Sequence, residues 1–218
     1  MADDEDELLP PGGLQVDQDA PWDAWHPLEI TERLQGVDVP WCVAAGWALD
    51  LFRGGQSREH EDLEIAVPVG RFDAIAAALR DFDIEVVGSG HRWPLESEAF
   101  TVMHQTWVRE RATGIYRLDI FREPHDGDTW ICRRDETIRF PYDQIIVTSP
   151  AGVPYLVPEI VLLFKAKHRR PKDQADFDGV LPLLDATRRE WLAAVLERWH
   201  PEHPWLAELR PQQDRQNR

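Results

Sequence analysis

Hydrophobic and polar residues alternate along residues 61–67. The apolar positions are Leu63, Ile65 and Val67. A period of two residues predicts a β-strand that buries one face in a hydrophobic core. The other face carries Asp62 and Glu64, which an extended backbone places about 7 Å apart. Because like charges repel, and their burial is costly without a cation between them, this strand indicates a binding site as well as a core element.

Two kinds of hydrophobic spacing divide the remaining chain near residue 150. Up to that point the spacing predicts helices at 27–36, 46–52 and 71–82, strands at 41–44 and 83–88, and a β-rich segment at 99–147. After Pro150 the spacing is helical. The sequence therefore predicts an α/β (α+β) fold, with a mixed-sheet domain at 25–150 and a helical C-terminal domain at 151–210.

The composition is that of an ordinary globular protein, since 43% of the 218 residues are hydrophobic and 29% are charged. Residues 1–24 are acidic and rich in proline and glycine, which predicts a disordered tail, and residues 211–218 form a second, polar tail. No apolar stretch approaches the roughly 20 residues of a membrane span. The acidic N-terminus also lacks the basic start of a signal peptide. We therefore expect a cytoplasmic protein without a membrane partner.

The formal net charge is −16, and acidic residues remain in excess outside the N-terminal tail. Such a chain is a poor non-specific binder of nucleic acid, because phosphate neutralisation dominates that affinity. The charge suits a cationic small molecule, although acidity that only keeps the protein soluble explains it equally well.

A third acidic residue lies inside an apolar strand pattern. Asp119 in IYRLDIF (115–121) faces opposite to Leu118 and Ile120. Two carboxylates alone make a weak magnesium site, so a third is expected if the pair holds metal. Upstream, the small residues Ala45 and Gly46 stand between a strand and a helix. A turn of this kind exposes N–H groups at a helix N-terminus, which suits a phosphate group.

The segment AAGWALDLFRGGQSREHEDLEIAV (44–67) resembles the nucleotidyltransferase superfamily that includes DNA polymerase beta. Within that superfamily, the chain is most similar to the small antibiotic nucleotidyltransferases that act on aminoglycosides and lincosamides. The likeness returns at 153–177. Ala45 stands at the first position of the superfamily's Gly-Gly step, and Glu64 stands where Asp is commoner. The methyl group of Ala45 adds bulk where backbone approaches phosphate, and neither difference removes a ligand.

The resemblance implies roles for particular residues. Asp62, Glu64 and Asp119 hold magnesium, with two ions expected, and Asp119 also accepts the proton of the attacking hydroxyl. A nucleoside triphosphate is the co-substrate, with ATP favoured. The expected nucleotide-binding residues are Ala45, Gly46, Trp47, Arg58, His60, Lys165 and Lys172.

The lysines and several neighbouring residues also have structural interpretations. Lys165, Lys167 and Lys172 are the only lysines of the chain. A flexible ammonium suits a triphosphate, whereas the alternative is a solvated helix end that favours the helix dipole. We favour Lys165 for the site. Asp173 is expected to cap a helix, and Asp50 to pack or to pair with an arginine. Trp47 belongs either to the core or beside a base or sugar ring.

The function that follows is transfer of a nucleoside monophosphate to a hydroxyl of a small, cationic molecule such as an aminoglycoside or lincosamide antibiotic, with release of pyrophosphate. Two alternatives remain open at this point. One is a toxin-type enzyme that modifies transfer RNA, which the basic strip KAKHRRPK (165–172) favours. The other is a nucleotide-binding protein without turnover, which Ala45 and Glu64 favour. The acceptor's identity and the oligomeric state are left open.

Overall fold

The computed structural model describes residues 9–17 and 19–210. The parts of the two predicted tails at 1–8, 18 and 211–218 lie outside the described residues. From the N-terminus the elements are β1 (Leu14–Gln15), α1 (Pro27–Arg33), β2 (Cys42–Val43), α2 (Ala45–Arg53), β3 (Glu64–Pro68), α3 (Phe72–Ala78) and β4 (Asp83–Gly88). The next are β5 (His91–Pro94), α4 (Ala99–Val102), β6 (Gln105–Arg109), β7 (Tyr116–Glu123), β8 (His125–Asp126) and β9 (Thr129–Ile131). They are followed by β10 (Arg139–Pro141), α5 (Tyr142–Ile145), β11 (Ile146–Thr148) and β12 (Pro154–Leu156). The chain continues with α6 (Pro158–Lys165), α7 (Pro171–Val180), α8 (Ala186–Trp199) and α9 (Trp205–Leu209).

Nine of these strands form one mixed sheet in the order β1-β5-β4-β6-β7-β3-β2-β12-β11. The pairs β3–β7 and β2–β12 are parallel, and the other neighbours are antiparallel. Strands β8 to β10 form a separate three-stranded sheet. The predicted α/β (α+β) class with a mixed sheet is therefore confirmed.

The two central strands bury one face and leave acidic residues on the other. Leu63, Ile65, Leu118 and Ile120 are fully buried in the main core. The alternation that predicted a one-sided strand at 61–67 is thus confirmed, although the regular strand begins only at Glu64. Helix α2 begins beside this strand and ends at Gly54, whose φ of 82° suits a glycine that ends a helix.

Two expectations for the chain before residue 150 differ from the structure. Residues 99–102 form the short helix α4, whereas a β-rich segment was predicted there. Within the predicted N-terminal tail, β1 pairs with β5 and Trp93 Nε1 donates a hydrogen bond to the carbonyl oxygen of Pro10 at 3.0 Å. This described part of the tail therefore packs on the sheet edge.

The region after residue 150 begins with a strand rather than a helix. Strand β12 pairs with β11 and β2 in the main sheet, and the helices start at Pro158. The domain boundary near 150 stays a prediction. No helix in the part of the chain that the structure describes is long and apolar enough to span a bilayer.

Candidate active site

The three predicted carboxylates come from neighbouring strands of the main sheet. Glu64 on β3 is the Cα partner of Asp119 on the parallel strand β7, and the Asp119 N–H donates to the carbonyl oxygen of Leu63 at 2.9 Å. Asp62 lies just before β3, two residues from Glu64. Because side chains alternate along a strand, burial of Leu63 turns the acidic residues toward the opposite face.

The pKa values of Glu64 and Asp119 are both raised. Burial, followed by the charges of Asp62 and Asp119, raises the pKa of Glu64 well above its ordinary value. Burial is also the main reason that the pKa of Asp119 rises to about 7, with a further contribution from Asp62. Gln105 Nε2 donates to Asp119 Oδ2 at 2.8 Å, and this bond opposes the rise. The cluster is therefore short of positive charge.

The chemistry of these residues fits a hard divalent cation. Carboxylate oxygens are the ligands that Mg²⁺ prefers, and Asp119 Oδ1 is buried without a hydrogen-bond partner. A bound cation would reduce the repulsion among the three carboxylates and would give Asp119 Oδ1 a partner. Among residues 9–17 and 19–210, however, no three His, Cys, Asp or Glu side chains are already gathered as a finished metal site. The donors are present, and binding would have to draw them together.

The turn before α2 allows other groups to approach its backbone closely. Ala45 has a φ of 46°, a left-handed conformation that glycine adopts without strain, which explains why the related pattern has glycine there. At Gly46, an added Cβ would lie 2.5 Å from Arg58 Nη2 and 2.7 Å from His60 Cε1. Gly46 therefore lets both side chains pack against the helix N-terminus.

We expect Gly46→Ala to displace Arg58 and His60, because its methyl group occupies their space. Overpacking of this kind costs about 1–3 kcal/mol. The variant should therefore melt at a lower temperature and bind nucleotide more weakly, as measured by calorimetry. The matched control is Gly55→Ala, because Gly55 has no atom within 4 Å of an added Cβ and no positive φ. Equal stability and affinity in the two variants would contradict this account of the turn.

His60 is held by residues of α2. Its Nε2 lies 2.7 Å from Asp50 Oδ2, and its ring stacks on Trp47 with centroids 4.4 Å apart. Burial is the largest cause that lowers the pKa of His60, so the ring is neutral at pH 7. The principal partner of Asp50 is thus this histidine, and an arginine is also nearby, as predicted: Arg53 Nη1 lies 3.9 Å from Asp50 Oδ1.

The basic side chains are linked by an acidic residue that the sequence did not single out. Asp176 on α7 lies 2.9 Å from Lys165 Nζ and 3.3 Å from Arg58 Nε. Its only signal in the sequence is an acidic residue in a helical pattern, which usually marks a solvated face.

Asp173 accepts a hydrogen bond from the N–H of Arg170 at 3.1 Å and so caps the start of α7. The exposed Lys172 lies 3.7 Å from Glu61.

A cleft of about 230 Å³ connects these groups. Eight predicted site residues line it: Ala45, Gly46, Arg58, His60, Asp62, Glu64, Lys165 and Lys172. Trp47 and Asp119 do not, since Trp47 belongs to the core and Asp119 lies on the next strand. Sequence reasoning missed the far end of the cleft, which includes Glu123, Trp130, Arg133, Tyr142 and Phe164.

The lining of the cleft is not acidic, unlike the chain as a whole. Its acidic side chains are Glu61, Asp62, Glu64 and Glu123. Its arginine and lysine side chains are Arg58, Arg133, Lys165, Arg170 and Lys172. Among the described residues, positive and negative groups therefore nearly balance in the cleft, so the acidic composition does not extend to it.

Comparisons with known proteins agree with this architecture. Residues 27–104 match the family model described as aminoglycoside-2''-adenylyltransferase. A search of the curated proteins finds no match. A crystal structure of ANT(2'')-Ia with adenylyl-2''-tobramycin is similar at a TM-score of 0.53 and 13% identity, over 79% of this chain and 95% of that one.

Two further solved structures are similar to the chain. The solution structure of the antibiotic-resistance factor ANT(2'')-Ia has a TM-score of 0.53 and 14% identity, over 80% of this chain and 91% of that one. Lincomycin-bound LnuA, a lincosamide antibiotic adenylyltransferase, has a TM-score of 0.49 and 18% identity, over 77% and 98% of the two chains. The predicted resemblance is confirmed: residues 27–104 match a family model of antibiotic adenylyltransferases, and the chain has the nucleotidyltransferase fold of ANT(2'')-Ia.

Proposed function

We propose that this protein is a magnesium-dependent enzyme that transfers a nucleoside monophosphate from a nucleoside triphosphate, ATP by preference, to a hydroxyl of a small antibiotic of the aminoglycoside or lincosamide type. The observation that carries the proposal is the pairing of Glu64 and Asp119 on parallel strands, with Asp62 beside them, next to a cleft bordered by the N-terminus of α2. ATP and Mg²⁺ are both available in the cytoplasm, where we expect the enzyme to act.

The basic end of the cleft supplies the nucleotide-binding groups. Free N–H groups at the start of α2 and the charges of Arg58 and Lys165 favour a triphosphate. Mg²⁺, when bound by Asp62, Glu64 and Asp119, would neutralise charge that develops on the phosphates. His60 supports this end of the site by its contacts with Asp50 and Gly46.

Asp119 is suited to accept the acceptor's proton. Its carboxylate lies on the strand beside Glu64, and a carboxylate held in position next to the reacting hydroxyl is a common general base. The acceptor hydroxyl loses its proton to Asp119 while its oxygen forms a bond to the α-phosphorus. The bond between that phosphorus and the bridging oxygen breaks, and pyrophosphate leaves. Atoms and charges balance without any further reactant.

The transfer RNA alternative has weaker support. The basic strip at 165–172 is not a continuous exposed surface, because Lys165 is buried and paired with Asp173 and Asp176. Nucleic acid binding needs several phosphate contacts, which the acidic exterior disfavours.

The decisive experiment measures pyrophosphate release with each nucleoside triphosphate, with and without Mg²⁺, in the presence of aminoglycosides, lincosamides or transfer RNA. We expect release with an antibiotic and Mg²⁺, and a mass increase of the antibiotic by one nucleoside monophosphate. Label that passes to transfer RNA and to no antibiotic would support the toxin-type alternative. Nucleotide binding without release for any acceptor would support a protein that has lost turnover.

A further inference from the structure

The far end of the cleft forms a second compartment, which we call the deep subsite. It is lined by Cys42, Glu123, Trp130, Tyr142 and Val161. Strand β7 leads into it, because Asp119, Phe121 and Glu123 alternate onto one face. Four residues of extended strand separate Asp119 from Glu123 by about 13 Å. The deep subsite therefore begins beside the proposed general base and extends away from the helix N-terminus that suits phosphate.

The ionic groups of the deep subsite are already paired. Glu123 is only 4% exposed, Arg133 Nη1 donates a hydrogen bond to its Oε1, and Trp130 Nε1 donates to its Oε2 at 3.3 Å. A buried carboxylate and a partly exposed guanidinium that bond each other leave little net charge for a ligand. Arg133 also lies over the ring of Phe164, with its Cζ 4.7 Å from the centroid.

One polar atom in the deep subsite has no partner in the part of the chain that the structure describes. The hydroxyl of Tyr142 is buried and makes no hydrogen bond, while the whole residue is 9% exposed. Burial raises the pKa of this phenol, so the hydroxyl is neutral at pH 7. An unpaired buried hydroxyl is costly, and a ligand with a hydrogen-bonding group would remove the cost. The remaining walls are apolar, including Ala66, Phe121, Ile145 and Leu156.

We propose that the deep subsite binds the acceptor, and that the acceptor is an amphipathic molecule with an apolar body, a hydrogen-bonding group for Tyr142 and at most one positive charge. This inference rests on the proposed function and narrows its acceptor class. A polycationic aminosugar would bring several ammonium groups beside Arg133 and against apolar walls, where each charge would lose water without a free carboxylate in return. A compact amphipathic molecule could instead form one hydrogen bond with the Tyr142 hydroxyl and pack its apolar body against the apolar walls of the deep subsite.

The nucleotide fits the other end better. The groups that favour phosphate, namely the start of α2, Arg58, Lys165 and Lys172, lie at the basic end of the cleft. Asp119 lies on the strand next to Glu64, and Glu64 lines the cleft. An acceptor in the deep subsite would therefore bring a hydroxyl toward the pair Glu64 and Asp119 while the triphosphate occupies the basic end.

The test uses Tyr142→Phe, which removes only the unpaired hydroxyl and should not lower the melting temperature. We expect the dissociation constant for lincomycin, an amphipathic probe, to rise about threefold to tenfold, the usual effect of one hydrogen bond. Where transfer is measurable, KM for lincomycin should rise likewise and KM for the nucleotide should not change. The control is Tyr155→Phe, since Tyr155 is similarly buried and does not line the cleft.

A second measurement compares acceptor classes on the wild-type protein. Calorimetry should show that lincomycin binds at least about tenfold more tightly than the polycation tobramycin, with little change between low and physiological salt. Tighter binding of tobramycin, with strong weakening by salt, would overturn the inference, and so would absence of lincomycin binding. A change in nucleotide affinity alone in Tyr142→Phe would assign the deep subsite to the nucleoside. Because binding needs no turnover, these outcomes are separate from failure of the proposed function, which would appear as absence of pyrophosphate release with every acceptor.

Discussion

Asp119→Asn is expected to bind nucleotide but to transfer it at least about a hundredfold more slowly than the wild type, the low end for loss of a general base. The amide cannot accept the proton of the acceptor, whereas we expect the turn at Gly46 and the pair Asp62 and Glu64 to hold the nucleotide as before. The substitution keeps the shape of the side chain, and its oxygen can still accept the hydrogen bond from Gln105. Single-turnover transfer and nucleotide calorimetry measure the two effects separately.

The matched control for this prediction is Asp126→Asn. Asp126 is an exposed acidic residue on β8 that does not line the cleft, so its loss should leave transfer unchanged. Equal transfer rates in Asp119→Asn and the wild type would show that the third carboxylate is assigned to the wrong residue. Another acidic residue of segment 99–147 would then have to supply the base.

The three carboxylates were predictable because their strands have one buried face. Alternation around Leu63 and Leu118 placed Asp62, Glu64 and Asp119 on polar faces, and both strands bury their apolar positions as expected. The hydrophobic periodicity of each segment could not predict that β3 and β7 pair and bring Glu64 next to Asp119. This pairing was expected only because the segments resemble a family in which these acidic residues meet.

The charge of the cleft could not be predicted from composition. Composition averages over the whole surface, whereas the cleft selects Arg58, Arg133 and Lys165 from segments far apart in the chain. The fold brings these side chains together beside a few carboxylates, and the excess acidic residues lie elsewhere. The expectation of a cationic acceptor drew on that average as well as on the resemblance, and it stays a prediction. The paired ions of the deep subsite are the basis of the narrower acceptor class that we propose.

The short strand β1 at the sheet edge also could not be predicted from the sequence. Strand β1 has two residues, too few to show a period. The N-terminal segment is positioned by contacts with Trp93, since an added Cβ at Gly13 would lie 2.6 Å from that ring. An acidic segment rich in proline and glycine usually lacks such a partner, and the partner here lies about eighty residues later in the sequence.

Asp62→Asn is expected to abolish the stabilisation of the protein by magnesium and nucleotide. In the wild type, ligand at about a hundred times its dissociation constant should add about 2.7 kcal/mol to the free energy of unfolding. For a chain of this length that corresponds to roughly 5–10 °C in melting temperature. The variant lacks one carboxylate of the cluster and should retain the fold without this gain. Its control, Glu59→Gln, removes the same charge from an exposed position of the same loop.

The wild-type gain should also depend on pH, because the proposed Mg²⁺ site uses the carboxylates in their charged form. Folding raises the pKa of Asp119 to about 7 from 3.8 and that of Glu64 well above its ordinary value. A raised carboxyl pKa contributes stability that is fully present below the unfolded value and is lost as pH rises through the folded value. The free protein should thus lose stability between about pH 4 and 7, and magnesium with nucleotide should restore it most at pH 8. Scanning calorimetry at pH 5.5 and pH 8 measures this difference. A gain that is the same at both pH values, or that persists in Asp62→Asn, would place the metal away from these carboxylates.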